Sequence, residues 1–321
     1  MLGRAPINWR YSAQHHIEAL SEERSVAASP STDSQPESSL EAPLLVFVHI
    51  RKTAGTTISY VMHRQFSRKE AIEINASTVE AANRAWNAIR PERRSRIRCV
   101  RGHLPYGQDL FAPRAMTCFT VLRDPVERVV SEYYFNLHQA GEKFHATLNR
   151  DRVTLDHFVN SELSAEVHNA QTRTLASAKS GANPRELLEL AVANLRERMA
   201  VVGISERLDE TLLLCREILG WRRIVYRPIN VNRRRPALDR IAPATVAAIE
   251  RANSLDRSLY RFGCARMDEL IRQYRVSESQ VVALRSASRI YGAARRVVGL
   301  PREVWIEARL AMARRRVARE Y

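Results

Sequence analysis

Leu44-Leu45-Val46-Phe47-Val48-His49-Ile50-Arg51-Lys52-Thr53-Ala54-Gly55-Thr56-Thr57 is the stretch that decides the reading of this chain. Its first seven residues form a largely apolar run of strand length, the pattern of a strand covered on both faces. A short loop with one glycine follows, and a helix is expected from about Thr56 to Gln65. Strand, loop and helix start together make an anion cradle, because unpaired backbone N–H groups and the positive end of the helix dipole point into the turn. Thr53, Thr56 and Thr57 add hydroxyl donors and Lys52 adds a point charge. A Walker-type nucleotide loop needs G-x-x-x-x-G-K-[ST]. Here Lys52 precedes Gly55 and the first glycine is missing, so the loop suits an anion but not a standard magnesium–nucleotide pair.

The same grammar returns downstream. Cys118–Leu122 is a β-rich run ended by Arg123-Asp124-Pro125, with Asp124 and Pro125 fitting the cap and first turn of a helix to about Gln139. Arg123 reads either as an ion-pair residue with Asp124 or Glu127, or, with Ser131 eight residues on, as a second anion site. Further helices are expected from Asn183-Pro184 to about Arg198 and from Glu206 to Leu219, with a short strand over Ala200–Ile204 between them. Strands alternating with helices predict an α/β fold: a P-loop-like parallel sheet with helices on both faces.

At 321 residues, 45% hydrophobic and 27% charged, the chain has ample material for a core. Its composition excludes collagen-like and globally disordered classes. No run approaches the ~18 apolar residues of a membrane span, and the first residues carry no secretory h-region. The cysteines, Cys99, Cys118, Cys215 and Cys264, are far apart, which argues against a disulfide framework or a zinc site and for a reducing compartment. Net charge is +16 from 51 basic and 35 acidic residues, and only Lys52, Lys69, Lys143 and Lys179 are lysines. Arginine is well shaped to grip sulfate, phosphate and carboxylate, but charge alone does not choose among nucleic acid, glycan, nucleotide and membrane. Residues 1–42 read as a disordered arm, 43–275 as the α/β domain and 276–321 as an Arg-rich helical extension. Residues 281–321 carry ten arginines against three glutamates, and a helix from Pro301 would align Ile306, Leu310, Ala313 and Val317.

Val48–Thr57 resembles the 5′-phosphosulfate loop of sulfotransferases that use 3′-phosphoadenosine-5′-phosphosulfate (PAPS). The closest likeness is to the carbohydrate O-sulfotransferases of the heparan sulfate 2-O and 6-O type. Their loop usually reads P-K-T-A-G-[ST]-[ST], so Arg51 departs from the usual proline. Val121-Leu122-Arg123-Asp124-Pro125-Val126-Glu127-Arg128-Val129-Val130-Ser131 resembles the element whose Arg and Ser bind the 3′-phosphate. Gly102–Gly107 resembles the segment with the catalytic histidine, Asn169–Ala176 an acceptor-side helix, and Val202–Asp209 a strand-to-helix junction. Ile229–Pro236, with Arg233, Arg234 and Arg235, resembles the late loop over the nucleotide. The matches run in order from about residue 44 to 265.

The resemblance implies sulfuryl transfer from PAPS, without metal, to a hydroxyl of a carbohydrate or glycoconjugate. It implies His103 as general base and Lys52 as stabiliser of the leaving oxygen. It implies donor contacts from Arg51, Lys52, Thr53, Ala54, Gly55, Thr56, Thr57, Arg123 and Ser131, and acceptor contacts from Gln171 and Arg173; His49 reads as structural. Two other classes stay open. One is a P-loop kinase-like phosphotransferase, for which Asp124 is the one Walker-B-like acid. The other is a non-enzymatic basic protein binding nucleic acid or a membrane surface, although no zinc-finger or RRM signature is present. A bacterial cytoplasmic enzyme, with residues 295–321 peripheral to an anionic inner membrane, is the expected setting.

Overall fold

In the computed structural model, which describes residues 42–161, 163–177, 183–227 and 235–297, Leu44–Val48 is the central strand β1, buried along its whole length. Among the described residues it is joined by β2 (Ala71–Glu73), β3 (Cys99–Gly102), β4 (Met116–Leu122) and β5 (Met199–Ile204). All pairings are parallel, in the order β2-β3-β1-β4-β5. Parallel strands need helical crossovers, so inner strands lose their solvent face and read as continuous apolar runs. That is why β1, β4 and β5 were legible. β2 and β3 were not: Ala-Ile-Glu and Cys-Val-Arg-Gly are short and broken by charge.

Twelve α-helices accompany the sheet among the described residues. They are α1 (Gly55–Gln65), α2 (Val79–Asn87), α3 (Pro91–Arg94), α4 (Pro125–His138), α5 (His145–Arg150) and α6 (Leu155–Asn160). After these come α7 (Ala170–Ala176), α8 (Pro184–Glu197), α9 (Leu208–Leu219), α10 (Pro243–Ala252), α11 (Ser254–Gln273) and α12 (Glu278–Val297). Helices flank the sheet, and α8, α9 and α11 pack on β5. In the main core Phe47 stacks on Phe119 at 4.6 Å between centroids, with Trp221 edge-on to Phe119. A satellite core forms where Val126, Val129, Val130 and Tyr133, spaced on one face of α4, meet Leu148, Phe158, Val167 and Ile249. α4 therefore has an apolar face in that core and a polar face turned elsewhere.

The loops after β1, β3 and β4 all open at the same end of the sheet. From β1 the chain goes to the edge strand β2, returns to β3 and then crosses to β4 and β5 on the other side. The strand order therefore switches direction at β1, and open parallel sheets bind ligands in the crevice at such a point. All four cysteines are free thiols, three of them buried. Among the described residues no helix is long and apolar enough to cross a membrane. α12 docks back on the domain: Arg285 Nε donates to Asp209 Oδ2 at 3.0 Å, and the hydroxyls of Tyr291 and Tyr60 bond. The expected arm over 1–42 lies, but for its last residue, outside the described residues, and so does the helix expected from Pro301.

Candidate active site

The loop after β1 is shaped by its backbone. Lys52 (φ 65°) and Ala54 (φ 63°) both take the left-handed region, which is costly for residues with a Cβ and clusters at functional sites. Ala54 is the residue before α1 and gives it no side-chain cap. The first helical bonds run from Thr57 and Ile58 N–H to Ala54 O, so the positive end of the helix dipole faces the loop. Gly55 is required by a close approach: a Cβ there would lie 1.6 Å from His49 Nε2.

His49 and His103 form the next layer. The His49 ring lies between Phe47 (5.1 Å) and His103 (4.2 Å), both stacked. His103 follows β3 and is held by its backbone, its N–H donating to Asn75 Oδ1 at 2.8 Å and its carbonyl accepting from Ala76 N–H. Its ring Nδ1 lies 2.9 Å from the His49 carbonyl oxygen. A carbonyl only accepts, so Nδ1 carries the proton and Nε2 is left with its lone pair. Burial, with Arg51 nearby, lowers the His103 pKa to about 4, so the ring is neutral at pH 7. Burial, then His103 and Arg101, also holds His49 well below the ordinary imidazole range.

The polar face of α4 closes the other side. Glu132, almost wholly buried, receives Arg51 Nε at 3.2 Å and Asn136 Nδ2 at 2.9 Å. Arg51 also meets Glu142 at 3.3 Å. Burial opposes the Glu132 charge, but Arg51, Lys52 and Asn136 outweigh it and keep the carboxyl ionised. Lys52 Nζ sits 3.4 Å above the centre of the Phe135 ring, a cation–π contact. Burial, with Arg51 and Arg123 beside it, lowers the Lys52 pKa to about 8, against the pull of Glu132.

Arg123 joins the two halves. Its Nη1 donates to the Lys52 carbonyl at 3.1 Å, and its Nη2 to Glu127 Oε2 at 2.9 Å. Its backbone is bracketed by the Gln171 carboxamide, which accepts from Arg123 N–H at 3.0 Å and donates to Arg123 O at 2.9 Å. Ser131, half-buried, lies one turn beyond Glu127 on the same face of α4. Asp124 caps α4 through Glu127 N–H at 3.0 Å, and Pro125 opens the helix, as the sequence predicts.

The structure thus brings together Arg51, Lys52, Ala54, Gly55, Thr56, His103, Arg123 and Ser131 at one end of the sheet. Four of the expected residues are engaged within the protein. Thr53 is fully buried and spends its hydroxyl on Ile50 O at 2.9 Å, so it braces the loop from inside. Thr57 is likewise buried in the first turn of α1. Gln171 is fully buried, and its carboxamide is taken up by the Arg123 backbone. Arg173 turns back on the carbonyls of His168 and Ala165, closing the 3-10 turn before α7. Glu132 and Phe135 escaped the sequence reading, and Arg235 was read only as part of a loop over the nucleotide, without its partner Glu127. Each sits in an ordinary helical or loop context, and only long-range pairing marks it. Among the described residues no group of three His, Cys, Asp or Glu side chains is placed to hold a metal.

A family model described as galactose-3-O-sulfotransferase matches residues 10–291. It agrees with the sulfotransferase motifs and names a different sugar from the heparan sulfate enzymes to which the loop was likened. It also reaches beyond residues 44–265 on both sides, starting inside the segment expected to be an arm. No curated protein matches the chain.

Proposed function

The chain belongs to the galactose-3-O-sulfotransferase family, and we propose that it moves the sulfuryl group of PAPS to a hydroxyl of a carbohydrate or glycoconjugate. The observation that carries this reading is the neutral His103, its Nε2 unprotonated, in the same site as Lys52 and the uncapped start of α1. The donor set suits PAPS: the first-turn N–H groups and Lys52 for the phosphosulfate, and Arg123 with Ser131 for the 3′-phosphate. Arg123 Nε is buried without a hydrogen-bond partner, a donor still to be answered.

In this reading PAPS supplies the sulfuryl group and its leaving phosphate. His103 Nε2 accepts the acceptor hydroxyl proton as that oxygen bonds to sulfur. Lys52 and the loop amides meet the charge that develops on the departing bridging oxygen. Arg51, fixed by Glu132 and Glu142, lends positive potential beside the loop, and Gln171 holds the Arg123 backbone in place. The test is transfer of labelled sulfate from PAPS to a panel of galactose-terminated and other glycosides. Transfer that vanishes in His103→Ala and Lys52→Ala supports the reading. Labelled product from neither galactosides nor other glycosides, by a protein that binds PAPS, contradicts the acceptor class.

We place the enzyme in the cytoplasm, on the strength of its unpaired cysteines, with the Arg-rich 295–321 segment against an anionic membrane. Flotation with anionic vesicles, compared with a chain ending at residue 297, tests the second part; equal recovery in the soluble fraction sinks it.

A further inference from the structure

Two guanidinium groups from distant segments converge on a single carboxylate at the first turn of α4. Arg123 Nη2 donates to Glu127 Oε2 at 2.9 Å. Arg235 Nη2 bonds the same oxygen, and its Nη1 donates to the Glu127 carbonyl at 3.1 Å. The next carboxylate, Glu206, lies 3.7 Å from Arg123 Nε, beyond hydrogen-bond reach, and that Nε is buried with no partner. The seat therefore has more donors than Glu127 can answer. Burial and, after it, the neighbouring Arg235 charge press the Arg123 pKa down against the pull of Glu127 and Glu206. A phosphate monoester, with close to two negative charges and three acceptor oxygens, would satisfy both guanidiniums and the orphan N–H. The Glu127 side chain is 24% exposed and has solvent to turn into. Ser131 offers a hydroxyl one turn on.

We propose that Glu127 is an internal stand-in for the 3′-phosphate of the donor, exchanged for it on binding, and that Arg235 is the second guanidinium of that seat. The inference rests on the donor reading above. Before binding, the Glu127 carboxylate keeps two like charges in place; on binding, it repels the incoming phosphate and must yield. Together Glu127 and Arg235 set selectivity for ligands that carry a 3′-phosphate.

The experiment is isothermal titration of the full chain with 3′-phosphoadenosine 5′-phosphate and with adenosine 5′-phosphate, which lacks the 3′ group. Glu127→Gln keeps the shape and one acceptor oxygen while removing the charge. It should tighten the bisphosphate by about three- to tenfold, as expected for removing a like charge at contact distance, and leave the monophosphate unchanged. Arg235→Ala should weaken the bisphosphate about tenfold and spare the monophosphate. Glu127→Gln that weakens the bisphosphate, leaves it unchanged, or shifts both ligands alike overturns the proposal. If Glu127→Gln does not fold, Arg235→Ala decides: equal loss for both ligands, or none, overturns it. Wild-type protein that binds neither nucleotide removes the donor reading itself. Bisphosphate binding without the Glu127→Gln gain removes only this inference.

Discussion

The two halves of the site grip charge in different ways. The loop after β1 presents backbone: two left-handed residues, an uncapped helix start and a glycine pressed against His49. The polar face of α4 presents side chains already held by other side chains: Arg51 on Glu132, Lys52 over Phe135, Arg123 and Arg235 on Glu127. The first half is set by backbone shape, with amide dipoles at the start of α1 directed into the loop. The second is poised by substitutes, because unpaired buried guanidiniums would be too costly to keep. One half should therefore be fragile to shape changes and the other to charge changes.

The predictions sharpen that contrast, from the largest effect down. His103→Ala, which leaves the anion grip intact, should cut turnover by about 10²–10⁴-fold while 3′-phosphoadenosine 5′-phosphate binds within a few-fold of normal. Steady-state rates beside titration check it. Glu132→Ala strips Arg51 of its nearest buried partner and should cost about 3 kcal/mol in urea unfolding. A loss under ~0.5 kcal/mol would mean that Glu142 alone holds Arg51. Gly55→Ala, a single methyl against a ring boxed between Phe47 and His103, should cost about 1–3 kcal/mol and weaken nucleotide binding as well. Gln171→Leu leaves the Arg123 N–H unanswered and should cost about 1–2 kcal/mol with a modest loss of nucleotide affinity.

The last prediction concerns pH. His103 is lowered to about 4 in the folded protein from 6.5, so on acidification the unfolded chain takes up its proton first. Its contribution is neutral above pH 6.5, and stability falls as pH drops from 6.5 towards 4. Urea midpoints should be lower at pH 5 than at pH 7, and the drop smaller in His103→Asn. Midpoints that rise on acidification would contradict a buried neutral imidazole.

Legibility in the sequence followed the same divide. The backbone half could be read from residue order, because an apolar run, a glycine and a helix start are local signals. So could the cap at Asp124 and the parallel sheet, since β1, β4 and β5 are covered on both faces. Of the side-chain half, the cations Arg51, Lys52, Arg123 and Arg235 could be read, and so could the local Arg123–Glu127 pair, but not the distant carboxylates that hold Arg51 and Arg235. Arg51 and Glu132 are 81 residues apart, and Arg235 and Glu127 are 108 apart, so only the fold brings them together. Gln171 and Arg173 were expected as acceptor contacts because Asn169–Ala176 resembles an acceptor-side helix. α7 is instead buried against α8 and α11, and Asp256 takes up its first N–H groups. The charge of +16 says less than it promised, since many of the described arginines are spent in ion pairs within the molecule.

The most direct test of the central claim, that one donor is held across both halves, is isothermal titration with 3′-phosphoadenosine 5′-phosphate in the presence of EDTA. The account predicts a single micromolar-range site, lost in Lys52→Ala and in Arg123→Ala variants that keep their circular dichroism. Binding unchanged in either variant, or magnesium-dependent ATP binding in its place, would contradict it.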